Sequence, residues 1–405
     1  MEQRRILAIS DYGHTGIAES LKPQLRHWHD QGHEIWHLGL GFNGWTAAVD
    51  VEEYPWRDRL LRMLAHDEHT RFGQSSIDYA LNISKADVVI TSFDAWMVSY
   101  LATPERDPFV VQYEKILKVL DRDQRSFTHI AYFPIDGLLE DKYVPGPVDE
   151  FICGFDVPVT YSQFSADGIR RTLGIDVPMI PIAHDPNVFK PGDKAAARKL
   201  LNLPQDKFIV GMVATNQYRK RFDEFMAACG KFAADKDDVL VLPWTTWTRC
   251  ILGGYQIPSL VRHNNLANKV INPGDQVGEL NDDGMAALYQ ALDVCVLTTI
   301  GEGAGLPPIR ARACGTPALV SNNTSNTEFA AHPFELIPSH ISHTDQGSAI
   351  ARYSTNVGVL AARLQELYER PSLRASLGEN GVKAMRKYEI QNIMPSWDAL
   401  LEAVA

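Results

Sequence analysis

Residues 293–321 read DVCVLTTIGEGAGLPPIRARACGTPALVS. The run opens as a continuous apolar strand and passes into a loop holding Gly301, Gly303 and Gly305 with Glu302 among them. Pro307 and Pro308 suit the first positions of a helix, where a missing N–H costs nothing. Gly315 ends that helix, Pro317 prevents its continuation, and PALVS begins a second strand. Strand, glycine loop, helix, strand is a βαβ unit. A helix start behind a glycine loop offers backbone N–H groups and a positive dipole end to an anion. A tight turn whose glycines only permit close packing accounts for the loop equally well. Two residues stand out: a carboxylate, Glu302, in a loop suited to anions, and Arg310 early in a helix, where the dipole disfavours a cation.

The same alternation recurs along the chain. RILAIS (5–10), EIWHLGL (34–40), DVVITSF (87–93), HIAYFPI (129–135), PVTYS (158–162) and MIPIAH (179–184) form one set of apolar runs. FIVGMVA (208–214), VLVLPW (239–244), KVINPG (269–274), DVCVLTT (293–299) and PALVS (317–321) form another. Continuous rather than alternating apolarity marks strands covered on both faces, as in parallel sheets. Helical stretches such as IAESLKPQLRHWHDQ, RKRFDEFMAACGKFAAD and DGMAALYQAL lie between them. The fold class is therefore α/β, with two Rossmann-like, doubly wound domains. The proline-bearing segment HDPNVFKPGDKAAARKLLNLPQDK marks the division. We place an N-terminal domain at 1–185, a linker at 186–206, a C-terminal domain at 207–385 and a tail at 386–405. The tail is expected to be helical after Pro395 and to pack back on the N-terminal domain. Two such domains facing each other imply a ligand in the cleft, at the carboxyl ends of the strands.

Bulk properties narrow the classes. A chain of 405 residues accommodates two full cores, and 45% hydrophobic with 22% charged residues is ordinary globular composition. The net charge of −11 argues against non-specific binding to nucleic acid or anionic membranes. Five scattered cysteines without CxxC spacing indicate neither a disulfide framework nor a zinc site. HWHD (27–30) and HDEH (66–69) are too incomplete for a metal centre, so no metal and no cofactor are expected. The start lacks the apolar core of a signal peptide and no run reaches membrane-span length, so a cytoplasmic location is expected.

The stretch Glu302-Gly303-Ala304-Gly305-Leu306-Pro307, then Ala311 and Ala313-Cys314-Gly315-Thr316-Pro317, resembles the signature of retaining GT-B glycosyltransferases of the group 1, family 4 type. YSQFSADGIRR with IPIAHDPNVFKP looks like that family's interdomain segment, and GMVATNQYRKRFDEFMAA like its phosphate-binding strand and helix. DYGHTGIAESL takes the place of its N-terminal glycine loop. The resemblance implies transfer of a sugar from a nucleotide-sugar donor to an acceptor hydroxyl. Glu302 would face hydroxyls of the transferred sugar. The N–H groups around Gly303, Ala304, Gly305 and Leu306 would hold diphosphate or sugar, with Gly16 contributing from the first loop. Arg219 and Lys220 would neutralise the leaving diphosphate, where fixed cations lower the barrier. A solvated basic helix start is the plainer reading of Arg219-Lys220-Arg221, although three cations there oppose the dipole and favour an anion.

Two departures qualify the resemblance. The family's second glutamate, which accepts the ribose hydroxyls, is Arg310 here, and arginine offers no acceptor; on the donor side it could grip a phosphate, pair with Glu302 or another acid, or read a different donor. The histidine expected after the DVV-type strand is replaced by Ser92 or Phe93, with Asp94 the nearest polar substitute; Asp94 is equally a helix N-cap. Asp136 in YFPIDG is an acceptor-side candidate or a turn residue, and His14 an acceptor-side candidate or a solvated loop residue. The acceptor stays open among polysaccharide, protein, small molecule and, as a minority reading, a modified base in nucleic acid. A non-catalytic GT-B-like binding protein is the alternative that Arg310 raises. A nicotinamide enzyme is disfavoured, since Leu306 stands where G-x-G-x-x-G needs its third glycine.

Overall fold

The computed structural model describes residues 2–13, 15–42, 54–63, 72–140, 142–245, 253–271 and 280–404. The chain forms two compact units, Met1–Ala183 with Ile390–Ala405, and His184–Glu389.

The first unit is built on β1 (Arg5–Asp11), β2 (Glu34–Leu40), β3 (Leu60–Arg62), β4 (Val88–Ser92), β5 (Thr128–Phe133) and β6 (Val157–Thr160). They pair in parallel in the order β3-β2-β1-β4-β5-β6. The order reverses between β1 and β4, the switch point at which open α/β sheets hold ligands beyond the strand ends. Ile6, Leu7, Ala8, Ile9, Val89 and Ile90 are buried outright, as strands covered on both faces require. MIPIAH, expected as a strand, makes only two isolated bridges, Met179 to Thr160 and His184 to Glu389.

The helix Ile390–Ala403 completes this unit and carries Pro395 within it, so the helix starts before that proline rather than after it. Trp397 is fully buried, edge-on to Trp28 at 5.9 Å and to Tyr132 at 4.8 Å. Asp398 accepts from Trp28 Nε1 at 3.1 Å and lies 3.0 Å from His27 Nε2. His27 of HWHD is thus tied to the helix Ile390–Ala403. Among the described residues no three His, Cys, Asp or Glu side chains are grouped to hold a metal ion, and no helix is long and apolar enough to cross a membrane. HDEH lies outside the described residues.

The second unit is built on β7 (Phe208–Val213), β8 (Val239–Trp244), β9 (Val294–Leu297), β10 (Ala318–Ser321) and β11 (Leu336–Ile337). These are parallel in the order β11-β10-β9-β7-β8, reversing between β9 and β7. KVINPG contributes a single bridge, Val270 to Val241, and its end lies outside the described residues. An antiparallel hairpin, β12 (Ser339–Thr344) and β13 (Ala351–Thr355), follows the sheet.

The stretch 186–206 is not a linker. It folds into the second unit because Asp293, at the amino end of β9, is a nearly buried carboxylate that needs cations. Arg198 Nη2 and Lys194 Nζ, both on the helix Lys194–Leu200, reach it at 2.8 Å, and Ile209 N donates to it at 2.8 Å.

A second buried pair fixes the helix Leu306–Ala313. Arg312 Nε donates to Glu335 Oε2 at 2.8 Å, with side-chain exposures of 1% and 0%. Removing one partner strands the other charge. Arg312→Met is expected to cost about 3 kcal/mol or more in urea unfolding, and Arg312→Met with Glu335→Met to recover most of it.

Candidate functional site

The site assembles where β7 and β9 end. After β7 the chain makes a 3-10 turn, Tyr218–Lys220, then enters the helix Phe222–Phe232. After β9 it runs through Thr298, Thr299 and Ile300 into the glycine loop. Gly305 adopts φ 76°, and a Cβ there would stand 3.1 Å from Asn326 Oδ1, so the left-handed turn into Leu306 calls for glycine. Pro307 and Pro308 follow Leu306 within the first turn, as their chemistry allows.

The two loops are joined by Glu302. Glu302 is 5% exposed. Lys220 Nζ donates to Oε1, Arg219 Nη1 donates to Oε2 at 3.3 Å, and the Thr299 hydroxyl lies 3.1 Å from Oε1. The backbone of Glu302 is held as firmly: its N–H donates to Thr324 Oγ1 at 2.9 Å and its carbonyl accepts from Ser325 Oγ at 2.6 Å. Burial opposes ionisation of Glu302, but Lys220 and Arg219 outweigh it and hold the carboxyl below its ordinary range. Lys220 is itself 8% exposed, so each charge is the other's main compensation.

The residues that clamp Glu302 escape motif reading. They lie in SNNTSN, 321–326, just past the buried strand β10. Asn323 Nδ2 donates to the Thr299 carbonyl at 2.9 Å, Asn326 Nδ2 to Asn323 Oδ1 at 3.1 Å, and Ser321 Oγ accepts from Thr299 N at 3.0 Å. All six are buried except Asn322, and Thr324 sits at φ 44°. The sequence offers only a run of six short hydrogen-bonding residues at a strand's carboxyl end, with no motif or periodicity to mark it.

The other expected residues fall in three places. Gly303, Ala304 and Leu306 are buried in the glycine loop beside Glu302. Arg310 is 7% exposed, and its guanidinium lies 4.2 Å from the centre of the Phe189 ring. Its charge bears on His184, whose imidazole is held low chiefly by burial, and on Cys314, whose thiol burial pushes up to about 12. Arg310 is thus packed against the segment that opens the second unit. Gly16, Asp94 and Asp136 belong to the first unit, after the carboxyl ends of β1, β4 and β5, which are neighbours in the sheet. Gly16 opens the helix Gly16–Asp30, capped by Thr15, whose hydroxyl accepts from Ala18 N at 3.1 Å. Asp94 precedes the 3-10 helix Ala95–Leu101 without capping it through its side chain. His14 lies outside the described residues.

Sequence reading also passed over Asp11 and Tyr161. Burial raises the Asp11 carboxyl, against a 2.6 Å bond from Thr15 Oγ1. Burial pushes the Tyr161 phenol up to about 12, with Asp94 and Asp11 adding to the rise, while Ser20 and Ser92 oppose it from 3.2 and 3.0 Å.

The buried Lys220 and the part-exposed Arg219 are thus held on one carboxylate, beside a glycine loop and at a sheet's switch point. The family model for glycosyl transferases group 1 matches residues 193–384, the body of the second unit. The second unit is a group 1 glycosyl transferase domain. The whole chain has the GT-B fold. Sucrose-phosphate synthase from Thermosynechococcus elongatus superposes with a TM-score of 0.71 at 18% identity, covering 99% of this chain and all of that one. Anabaena HepE, solved with UDP and glucose, gives 0.70 at 13% identity, with 99% and 100% coverage. Among curated relatives, a D-inositol 3-phosphate glycosyltransferase of Catenulispora acidiphila is 24% identical over 274 residues, 64% of this chain and 56% of its own length. One from Mycobacteroides abscessus is 31% identical over 171 residues, 40% and 36%. The matched stretches thus span about half or less of these relatives' lengths.

The low carboxyl of Glu302 sets a sign for acid stability. Its pairing stabilises the fold above the ordinary glutamate range and is lost as pH falls through its depressed value. Glu302→Gln is therefore expected to melt below wild type at neutral pH, because the buried Lys220 loses the carboxylate that compensates its charge. The gap in Tm should close as pH drops below about 4; a constant gap from neutral to acid pH would refute the pairing.

Proposed function

We propose that the chain is a retaining glycosyltransferase that moves a hexosyl or pentosyl group from a nucleoside diphosphate donor to an acceptor hydroxyl. The observation that carries this is Glu302 held by Lys220 and Arg219 at the carboxyl ends of β7 and β9. The UDP and glucose in the HepE complex support the donor class, and the names of the curated relatives support glycosyl transfer.

In this reading the diphosphate arrives as a stronger anion than one carboxylate and draws Lys220 and Arg219 to itself. Glu302, released, accepts hydrogen bonds from two hydroxyls of the sugar. The bond from the anomeric carbon to the phosphate oxygen breaks with its electron pair moving to that oxygen. The acceptor hydroxyl oxygen bonds the anomeric carbon from the same face, and its proton passes to the departing phosphate oxygen. Negative charge grows on the diphosphate as the bond breaks, so cations fixed there stabilise the transition state more than the ground state. No second carboxylate of the glycosidase kind is called for. On the first unit, Asp94 is assigned to the reacting sugar and Asp136 to the acceptor. The packing of Arg310 on Phe189 gives that residue a place in the fold.

Calorimetry against UDP-, GDP-, ADP- and dTDP-sugars is expected to show one donor binding, with transfer persisting in EDTA. Lys220→Ala should lower kcat on the order of 100-fold with the fold intact. Glu302→Ala should abolish transfer. Wild-type turnover in Glu302→Ala, or no binding of any nucleotide sugar by wild type, would overturn the reading.

A further inference from the structure

Lys220 is followed by Arg221, which sits at φ 48°, ψ 50°. That left-handed conformation costs a non-glycine residue roughly 1 kcal/mol, and glycine is the usual occupant. Arg221 nevertheless holds it, and its side chain shows why. Nε and Nη2 donate to the two carboxylate oxygens of Asp223, each at 2.9 Å, and Nη2 lies 2.9 Å from Glu224 Oε1. Glu224 is 4% exposed and also accepts from Ser354 Oγ at 2.5 Å and from Thr355 N at 3.0 Å, both on β13.

From β13 the contacts return to the site. Thr355 Oγ1 lies 2.7 Å from Ser321 Oγ, which accepts from Thr299 N, and Tyr353 N donates to the Ile300 carbonyl at 3.2 Å. Ile300 N donates in turn to the Arg219 carbonyl at 2.9 Å, and Thr298 Oγ1 to the Arg221 carbonyl at 2.9 Å. The circuit is closed: the turn 219–221, Glu224, the hairpin and the glycine loop each brace the next.

We infer that Arg221 and Glu224 are positioning residues, and that their ion pair, anchored on the β12–β13 hairpin, aims Lys220 at the anion site. The inference rests on the proposed role of Lys220 for its catalytic consequence, and on geometry alone for the aim. The pair holds a turn that its own backbone chemistry disfavours, so the direction of the Lys220 side chain depends on a contact outside the site.

The test uses the full chain. Arg221→Ala combines left-handed strain with an unpaired buried Glu224 and is expected to fold poorly. Arg221→Gly with Glu224→Gln removes both faults: glycine accepts the turn, and the amide oxygen still accepts from Thr355 N. This double variant is expected to keep a cooperative melt while kcat falls about tenfold or more and the donor KM changes little, the pattern of a misaimed group. Separately, labelling of Lys220 by trinitrobenzenesulfonate, read by mass spectrometry, should be slow in wild type and clearly faster in the double variant. Equal labelling, or a folded double variant with wild-type kcat, overturns the inference. Faster labelling in the variant with no transfer by wild type leaves the positioning intact and defeats the glycosyltransferase reading instead.

Discussion

A buried carboxylate cannot be left alone. Taking Glu302 out of water is tolerable only because two cations and a hydroxyl meet it, and most of the second unit's loop structure follows from that requirement. Lys220 and Arg219 must come from one strand end and Glu302 from another, so β7 and β9 have to lie side by side, as they do at the sheet's switch point. The 321–326 stretch must then fix the Glu302 backbone, since a carboxylate free to rotate would lose its partners. The glycine loop, the strained residues Arg221 and Thr324, and the polar clamp are parts of one solution to one electrostatic problem.

Much of this was legible in the sequence, for a physical reason. Strands covered on both faces leave unbroken apolar runs, so nine of the segments read as strands appear as β1, β2, β4–β10. Short edge strands leave no such trace: Leu60–Arg62 and Leu336–Ile337 have too few residues for a pattern, and the exposed β12 has a polar one. MIPIAH reads as a strand by composition, yet Pro178 and Pro181 deny it the donors of a ladder.

The site was legible where its chemistry is carried by rare residues in fixed spacing, namely Glu302, Lys220 and the glycines. It was not legible where common residues act through position. Serines and asparagines in 321–326 have no periodicity, and only their meeting with Glu302 gives them a role. Arg310 is a different case. Its place in the motif pointed to an anion, and its guanidinium also lies over the Phe189 ring, a contact that no spacing in the sequence announces.

The closure of the first unit by Ile390–Ala403 has a consequence for how the protein is made. The unit that contains the first residue also needs Trp397, and the second unit is spliced between its parts. During synthesis the ring of Trp28 and the face of Tyr132 wait for a partner that emerges only after the whole second unit has left the ribosome. Domains ordinarily fold in the order they are made. Here the later unit has all its residues first, and the earlier one is finished only after it.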